Sequence, residues 1–224
     1  YRFQKEPGRI QVPPASDDLL ERCAGGQLQL REKREGEKPV VGFAGWAELS
    51  SQQAARTIVK ELPTRMRGIF DSRYRAISKG VFWRKKAIET LKRSTDIELN
   101  LRIRKSFSGT SKTAEADMRL LRQELVDTVQ GSDYGLDARG DANDSTRFFE
   151  ICSLGRIPVT VDTERNFPFS DVLDYESFCL TIDFRDIKKL PERILEFHNN
   201  ISPERFIEMQ KNARAAYLNY FRVD

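Results

Sequence analysis

Short apolar runs alternate along the chain with segments of helical spacing, and this alternation restricts the possible folds more than any other feature. The first run, "PVVGFAGW" at residues 39–46, is continuously apolar and ends in small residues. Such a run is typical of a strand that is buried on both faces of a sheet. Because strand-like and helix-like segments then alternate, the sequence predicts an α/β fold with a Rossmann-like, mostly parallel sheet and helices on both faces.

The spacing of the apolar residues also places the other elements. Residues 47–78 are predicted to form a helix and an irregular excursion, because Pro63 interrupts their helical pattern. Residues 1–38 combine paired prolines with a glycine- and charge-rich run and are predicted to be a connector, which leaves 39–224 as the domain. Further strands are predicted at 96–104, 133–139, 156–162 and 177–183, and helices at 82–94, 114–132, 145–155, 186–200 and 202–221.

Composition argues against several classes of function. The chain has 38 lysines and arginines and 34 acidic residues, so its net charge of +4 is mild and well mixed, unlike that of a typical nucleic-acid binder. A single histidine, His198, and three scattered cysteines supply neither a zinc site nor a catalytic Ser-His or Cys-His pair. Cys152 and Cys179 lie in apolar segments and are predicted to be buried thiols. No signal peptide is visible, and no run approaches the roughly 20 apolar residues that a membrane span needs.

The loop "RGDANDSTRFFE" at residues 139–150 joins a predicted strand to a predicted helix. In an open parallel sheet, ligands bind beyond the carboxyl ends of the strands, and a helix that starts there offers free N–H groups to a phosphate. Ser145 or Asp144 would cap this helix. Arg147 would lie in its first turn, where a cation is unfavourable unless it meets an anion such as a diphosphate. Glu150 follows on the same face and suits ribose hydroxyls, while the alternative is an Arg147–Glu150 surface pair without a ligand.

Several nucleotide-binding motifs are missing from the sequence. No G-x-G-x-x-G follows the first strand, and no G-x-x-x-x-G-K-[ST] occurs, which argues against a dinucleotide oxidoreductase and a P-loop NTPase. No Asp-x-Asp pair is present to hold a divalent metal under a diphosphate. We therefore expect no metal or other cofactor, and phosphate charge would be neutralised by arginines, lysines and backbone N–H groups.

Several motifs, taken in order, resemble the C-terminal part of exostosin-type glycosyltransferases. "KPVVGFAGW" and "GVFWRKKAIETL" resemble the first strand and helix of that family, and the two closing helices, "DIKKLPERILEFHNN" and "SPERFIEMQKNARAAY", also match, so the resemblance covers roughly 39–222. The central motifs are Arg139-Gly140, Ser145-Thr146-Arg147-Phe148-Phe149-Glu150, Gly155-Arg156-Ile157-Pro158-Val159 and Pro168-Phe169.

The resemblance implies one lobe of a two-lobed GT-B enzyme, namely the C-terminal lobe that binds the nucleotide sugar. Residues 1–38 would end the interlobe connector, and an N-terminal lobe outside this sequence would carry the acceptor site and the catalytic base. The implied reaction is an inverting, metal-independent transfer of a hexosyl or pentosyl group from a nucleotide-diphosphate sugar to a saccharide acceptor. The expected compartment is the cytoplasm or, if the source is a eukaryote and the anchor has been lost from this fragment, the Golgi lumen.

The resemblance also assigns the donor-binding residues. Arg147 would contact the diphosphate, and Glu150 would hold ribose or sugar hydroxyls. Arg84 and Asp162 can also be interpreted without a ligand. Arg84 would then be an exposed charge on a helix, and Asp162 would cap a turn. The full set of expected donor-binding residues is Arg147, Glu150, Arg139, Gly140, Asp141, Asn143, Ser145, Arg84, Arg104, Ser106 and Asp162, with Lys85, Lys105 and the rest of the loop 106–109 nearby.

Four aromatic residues near these motifs have two possible roles. Trp83, Phe148 and Phe149 are predicted to lie in the core, whereas Trp46 ends a strand and is the best candidate to stack on a base. The sequence is also compatible with two other functions. One is a non-catalytic nucleotide-binding module of the same fold, and the other is a basic interaction or nucleic-acid-binding domain.

Overall fold

The computed structural model describes residues 12–71, 73–105, 117–140 and 145–222. Five parallel strands form one sheet in the order β2-β1-β3-β4-β5. This arrangement, with helices on both faces, confirms the predicted Rossmann-like α/β fold. The strands are β1 Val40–Trp46, β2 Glu98–Arg104, β3 Tyr134–Ala138, β4 Ile157–Asp162 and β5 Leu180–Asp183.

The helices connect the strands and close the chain. The last helix, which the sequence placed at 202–221, has its N-cap at Ser202 as expected and ends in a π-helical turn, Tyr217–Phe221. The segment before α7 is a 3-10 helix, Phe184–Lys189, rather than α-helix. The helices are α1 Leu19–Cys23, α2 Ser51–Phe70, α3 Arg73–Ala76, α4 Gly80–Leu91, α5 Met118–Gln130, α6 Thr146–Ser153, α7 Leu190–Asn200 and α8 Pro203–Ala216.

The strand order reverses direction at β1, which lies between β2 and β3. β1 pairs with β2 along seven residues but with β3 only through Val41–Tyr134 and Gly42–Gly135. β1 and β3 therefore stop pairing before they reach their carboxyl ends. A reversal of strand order is the usual position of a ligand crevice in an open parallel sheet, so this edge is where a site is expected.

The three central strands, β1, β3 and β4, are buried on both faces, which explains their apolar runs, whereas the edge strand β2 is partly exposed. On one face, Tyr134 and Leu136 of β3 pack in a cluster with Leu91 of α4 and Ile194 of α7. On the other face, helices α1, α5 and α6 cover Ala44 of β1. Because both faces of the central strands are buried, apolar and polar residues do not alternate along them, and β1 shows this as a continuous apolar run.

The prediction that Pro63 breaks the helix after β1 is wrong. α2 runs without interruption from Ser51 to Phe70 and contains Pro63 in its interior, and its start is fixed by a capping box between Ser50 and Gln53. Proline removes one hydrogen bond to the carbonyl four residues earlier, which here belongs to Val59. Pro63 and Val59 both lie on the exposed side of the helix, where water can solvate that carbonyl.

The N-terminal segment, residues 12–38, packs against the domain. Leu19 and Leu20 of α1 are buried in the cluster that α5 and α6 also line. The Asp18 carboxylate forms a buried ion pair with Arg214 of α8, with oxygen–nitrogen distances of 2.7 and 2.9 Å. The segment is therefore an integral layer of this structure, while its role as an interlobe connector stays a prediction.

Two further sequence predictions concern cysteines and membrane spans. Cys152 and Cys179 are buried free thiols, as expected. Burial raises the pKa of both thiols, to about 11 for Cys179. No helix within the described ranges is long and apolar enough to cross a lipid bilayer.

Candidate functional site

A cleft of about 640 Å³ opens at the carboxyl ends of β1 and β2, beside the start of α6. Its floor is formed by the end of β1, and one wall by the N-terminal segment. The cleft lies at the edge where the strand order predicts a ligand site. Its lining side chains include Asp17, Asp18, Glu21, Arg22, Phe43, Trp46, Arg84, Arg104, Leu121, Arg122, Ser145, Arg147, Glu150 and Arg222.

The N-terminus of α6 faces this cleft. Ser145 occupies the N-cap position, as the sequence suggested, but its side chain makes no capping hydrogen bond. The residue is only 2% exposed, and its hydroxyl finds no hydrogen-bond partner among the described residues. A buried hydroxyl normally has a partner, and the first N–H groups of a helix lack intrahelical acceptors. Within the described part of the chain, nothing occupies the Ser145 hydroxyl, and the start of α6 presents a partial positive charge that suits an anion.

Arg147 and Glu150 form the ion pair that their spacing suggested. Arg147 Nη1 lies 3.0 Å from Glu150 Oε2, and both side chains are about one-fifth exposed. The two atoms are close enough for charge attraction, yet neither makes a hydrogen bond of acceptable geometry. Arg147 Nη2 would lie 3.4 Å from a Cβ at Gly45, so the guanidinium lies near the end of β1. The pair is thus part of the cleft wall rather than a solvated surface pair.

Arg84 and Arg104 also line the cleft, but existing contacts hold both. Arg84 Nη1 donates to the carbonyl oxygen of Trp46 at 3.2 Å. Arg104 donates to the Glu124 carboxylate and, at 3.1 Å, to the carbonyl oxygen of Leu121. Glu124 compensates part of the charge of Arg104, whereas Arg84 contacts the last residue of β1 through a neutral carbonyl.

The remaining expected site residues lie elsewhere or outside the described ranges. Arg139 and Gly140 do not line the cleft, because their carbonyl oxygens pack against the start of α4, where a side chain at Gly80 would collide with them. Asp162 Oδ1 accepts a hydrogen bond from the Arg165 backbone N–H at 3.0 Å, which is the turn-capping contact of the alternative interpretation. Asp141, Asn143, Ser106 and the rest of the loop 106–109 lie outside the described residues.

Of the four aromatic residues, three belong to the core. Trp83, Phe148 and Phe149 are at most 6% exposed, as predicted. Trp46 lines the cleft, and its indole N–H donates to the carbonyl oxygen of Glu48 at 2.8 Å. The ring face of Trp46 is therefore the candidate platform for a base in this cleft.

Sequence reasoning missed a buried ion pair next to α6. Asp137 of β3 is fully buried and pairs with Arg165, which is 5% exposed and follows β4. Thr160 donates a hydrogen bond to Asp137 Oδ2 at 3.2 Å. Burial alone would lower the pKa of the Arg165 guanidinium, but the ion pair and hydrogen bond with Asp137 outweigh burial and raise it. The signal in the sequence was an acid inside an apolar strand, which requires a buried cationic partner.

The cleft wall formed by the N-terminal segment was also missed. Asp17 Oδ2 lies 2.7 Å from Arg122 Nη2 of α5, and Arg222 Nη1 lies 3.1 Å from Glu21 Oε1. Six arginines and four acidic residues line the cleft, which leaves an excess of positive charge for an anionic ligand. In the described parts of the chain, no group of three or more His, Cys, Asp and Glu residues has the geometry of a metal site.

These features define a Rossmann-like domain with an arginine-lined cleft at the N-terminus of α6. A family model described as "Exostosin GT47 domain" matches residues 75–197, which is more than half of the chain. The chain therefore belongs to the exostosin family of glycosyltransferases, and the resemblance inferred from its motifs is confirmed. The match includes Arg84, Arg104, Arg147 and Glu150, but not the N-terminal segment or α8.

A curated relative agrees with this family. The chain is 30% identical over 101 residues to a protein named "Exostosin-1 homolog" from Caenorhabditis elegans. The matched part is 45% of this chain and 25% of the relative, so the chain spans about a quarter of the length of that protein. The activity of a complete exostosin protein can thus be carried over to this chain only as a proposal.

Proposed function

We propose that the chain is the donor-binding lobe of a glycosyltransferase and binds the diphosphate of a nucleotide sugar in the cleft beside α6. The observation that carries this proposal is the N-terminus of α6, where the buried Ser145 hydroxyl lacks a partner among the described residues and Arg147 lies in the first turn of the helix. A diphosphate would accept hydrogen bonds from this hydroxyl and from the first N–H groups of the helix.

Arg147 would grip the diphosphate, and Glu150 would accept hydrogen bonds from ribose or sugar hydroxyls. A guanidinium can form two parallel hydrogen bonds to phosphate oxygens, which adds both affinity and orientation. Because the Arg147–Glu150 pair lacks an aligned hydrogen bond, Arg147 can turn toward a ligand without losing one. The excess of arginines in the cleft would compensate the remaining phosphate charge without a metal ion.

The proposed reaction is an inverting transfer of the sugar to a saccharide acceptor bound by a second lobe. The acceptor hydroxyl would attack the anomeric carbon as the bond to the diphosphate oxygen breaks, and a base in the second lobe would take the proton. The nucleoside diphosphate would leave as an anion, and Ser145, Arg147 and the α6 N-terminus would stabilise its developing charge. Closure of the two lobes would exclude water and protect the donor from hydrolysis.

The binding step is tested with nucleoside diphosphates and nucleotide sugars by isothermal titration calorimetry on the full chain. Replacing Arg147 by alanine removes a charge-assisted contact, and we expect the Kd for the best ligand to rise about ten- to a hundredfold. Arg193→Ala is the matched control, because Arg193 forms an exposed pair with Glu196 on α7.

Two results would contradict the site assignment. The first is an unchanged Kd in Arg147→Ala, and the second is equal loss of affinity in Arg193→Ala. Tight binding of a nucleoside that has no phosphates would show that the diphosphate is not the group recognised.

A further inference from the structure

One side of α2 exposes a continuous row of apolar side chains. The row occupies the helix positions between 58 and 70 and is about 18 Å long at the rise of an α-helix. Phe70 at its end is 93% exposed. A soluble surface rarely leaves so many large apolar side chains together, so such a row indicates a binding surface. We call it the α2 stripe, and it consists of Ile58, Val59, Leu62, Met66, Ile69 and Phe70.

The α2 stripe faces away from the residues that anchor the helix. Thr57 and Gly68 are the buried positions of α2, and Arg75 Nε donates to the carbonyl oxygen of Gly68 at 2.7 Å. Glu61 accepts a hydrogen bond from the backbone N–H of Lys79 at 2.7 Å. At 100° per residue these anchoring positions lie on the side of the helix opposite Val59. The contacts that anchor α2 are therefore on one side of the helix, and the apolar row on the other side is exposed to solvent.

Positive charge borders the α2 stripe. On the same helical projection, Arg56, Lys60 and Arg67 follow one border of the row, and Arg65 lies at the other. All four residues are exposed. Residues 51–70 contain four basic residues and one acidic residue, a net charge of +3. The helix that carries the exposed apolar row is thus itself cationic.

We propose that the α2 stripe docks on an anionic lipid membrane, with α2 lying in the plane of the surface. Apolar side chains on one face would enter the boundary between headgroups and acyl chains, and the bordering cations would pair with negatively charged headgroups. A lipid surface fits better than a protein groove, because α2 is a single outward helix with three exposed cations along one border of its apolar row. Since α2 begins shortly after β1 ends at the cleft, docking would hold the cleft close to the membrane.

Vesicle sedimentation with the full chain tests this proposal. We expect binding to phosphatidylcholine vesicles that contain about a quarter phosphatidylserine, and weakening of that binding at about 0.5 M salt because headgroup attraction is screened. The double variant Leu62→Gln/Met66→Gln should bind about tenfold less, because it removes apolar side chains from the interface. Leu120→Gln is the matched control, since Leu120 is 68% exposed on α5, away from the stripe.

Three results would overturn the proposal. They are failure of the unaltered chain to bind the anionic vesicles, equal binding to vesicles of phosphatidylcholine alone, and full binding by Leu62→Gln/Met66→Gln. A concentration-dependent dimer in size-exclusion chromatography that the double variant abolishes, without vesicle binding, would assign the stripe to a protein interface instead. Circular dichroism melting of each variant ensures that a loss of binding is not a loss of fold.

Discussion

At the scale of single residues, the ion pair of Asp137 and Arg165 links the sheet to the helix that carries Arg147. Arg165 reaches Asp137 on β3, and its guanidinium also lies 5.3 Å from the ring centre of Phe148 on α6. A second ring, that of Phe167, lies 4.7 Å from the same group. The pair therefore connects β3 to α6 through the contact of Arg165 with Phe148, and both of its charges are almost completely shielded from water.

Removing one partner of this pair should destabilise the protein strongly. Arg165→Met leaves the Asp137 carboxylate buried without its cation, and we expect a loss of about 3–5 kcal/mol in the free energy of unfolding. Replacing both residues, in Asp137→Leu/Arg165→Met, should recover much of this loss, because no unpaired charge remains buried. Urea denaturation of the three proteins measures both effects.

A surface pair provides the comparison for this experiment. Arg205 pairs with Glu208 at 2.8 Å, but both side chains are about half exposed. Arg205→Met should change the free energy of unfolding by less than about 1 kcal/mol. If Arg165→Met were as mild as Arg205→Met, the buried pair would not support the structure as proposed.

At the scale of elements, the N-terminal segment closes one side of the cleft, and Asp18 holds it there. Asp18 caps α1 through the backbone N–H groups of Leu20 and Glu21 and forms the bidentate pair with Arg214. Arg214 also donates to the carbonyl oxygen of Ser153 at the end of α6 at 2.6 Å. The Asp18–Arg214 pair thus connects α1, α6 and α8.

Asp18→Ala should loosen the N-terminal segment selectively. The change leaves the buried Arg214 guanidinium without its carboxylate and removes the cap of α1, so the amides of residues 19–24 should exchange with solvent at least tenfold faster. Hydrogen exchange followed by mass spectrometry measures this, with peptides from β3 and β4 as internal references. Asp17→Ala, which affects a more exposed pair with Arg122, should have a smaller effect. Equal protection in Asp18→Ala and the unaltered chain would contradict this role of Asp18.

The sequence predicts those elements whose signals are local. β1 was predictable because both of its faces are buried, and Ser145, Arg147 and Glu150 because they belong to one helix start. α2 was mispredicted at Pro63, since the cost of a proline depends on whether water reaches the carbonyl of Val59. The packing of Asp18 against Arg214 was not predictable, because it joins residues 196 positions apart.

At the scale of the whole molecule, the cleft supplies only part of what a transfer reaction needs. Its groups are suited to a diphosphate, and the matched part of the chain is about a quarter of the related exostosin protein. A saccharide acceptor and a base would have to approach the open side of the cleft. The donor-binding lobe and a non-catalytic nucleotide-binding module would therefore give the same binding results, and they differ only in the transfer step.

A transfer assay on a longer polypeptide that contains this chain separates the two functions. We expect sugar transfer from the nucleotide sugar that binds best, with kcat/KM reduced about a hundredfold or more by Arg147→Ala, because Arg147 would stabilise the leaving diphosphate. Chelation by EDTA should leave the rate unchanged, and NMR of the first product should show the inverted anomer. Donor binding without transfer to any saccharide acceptor would identify a non-catalytic module. Binding to nucleic acid that weakens steeply as the salt concentration rises would instead identify a basic interaction domain. Transfer with retained anomeric configuration would be compatible with the assigned donor site but would exclude direct in-line attack by the acceptor. A single in-line displacement at the anomeric carbon must invert its configuration.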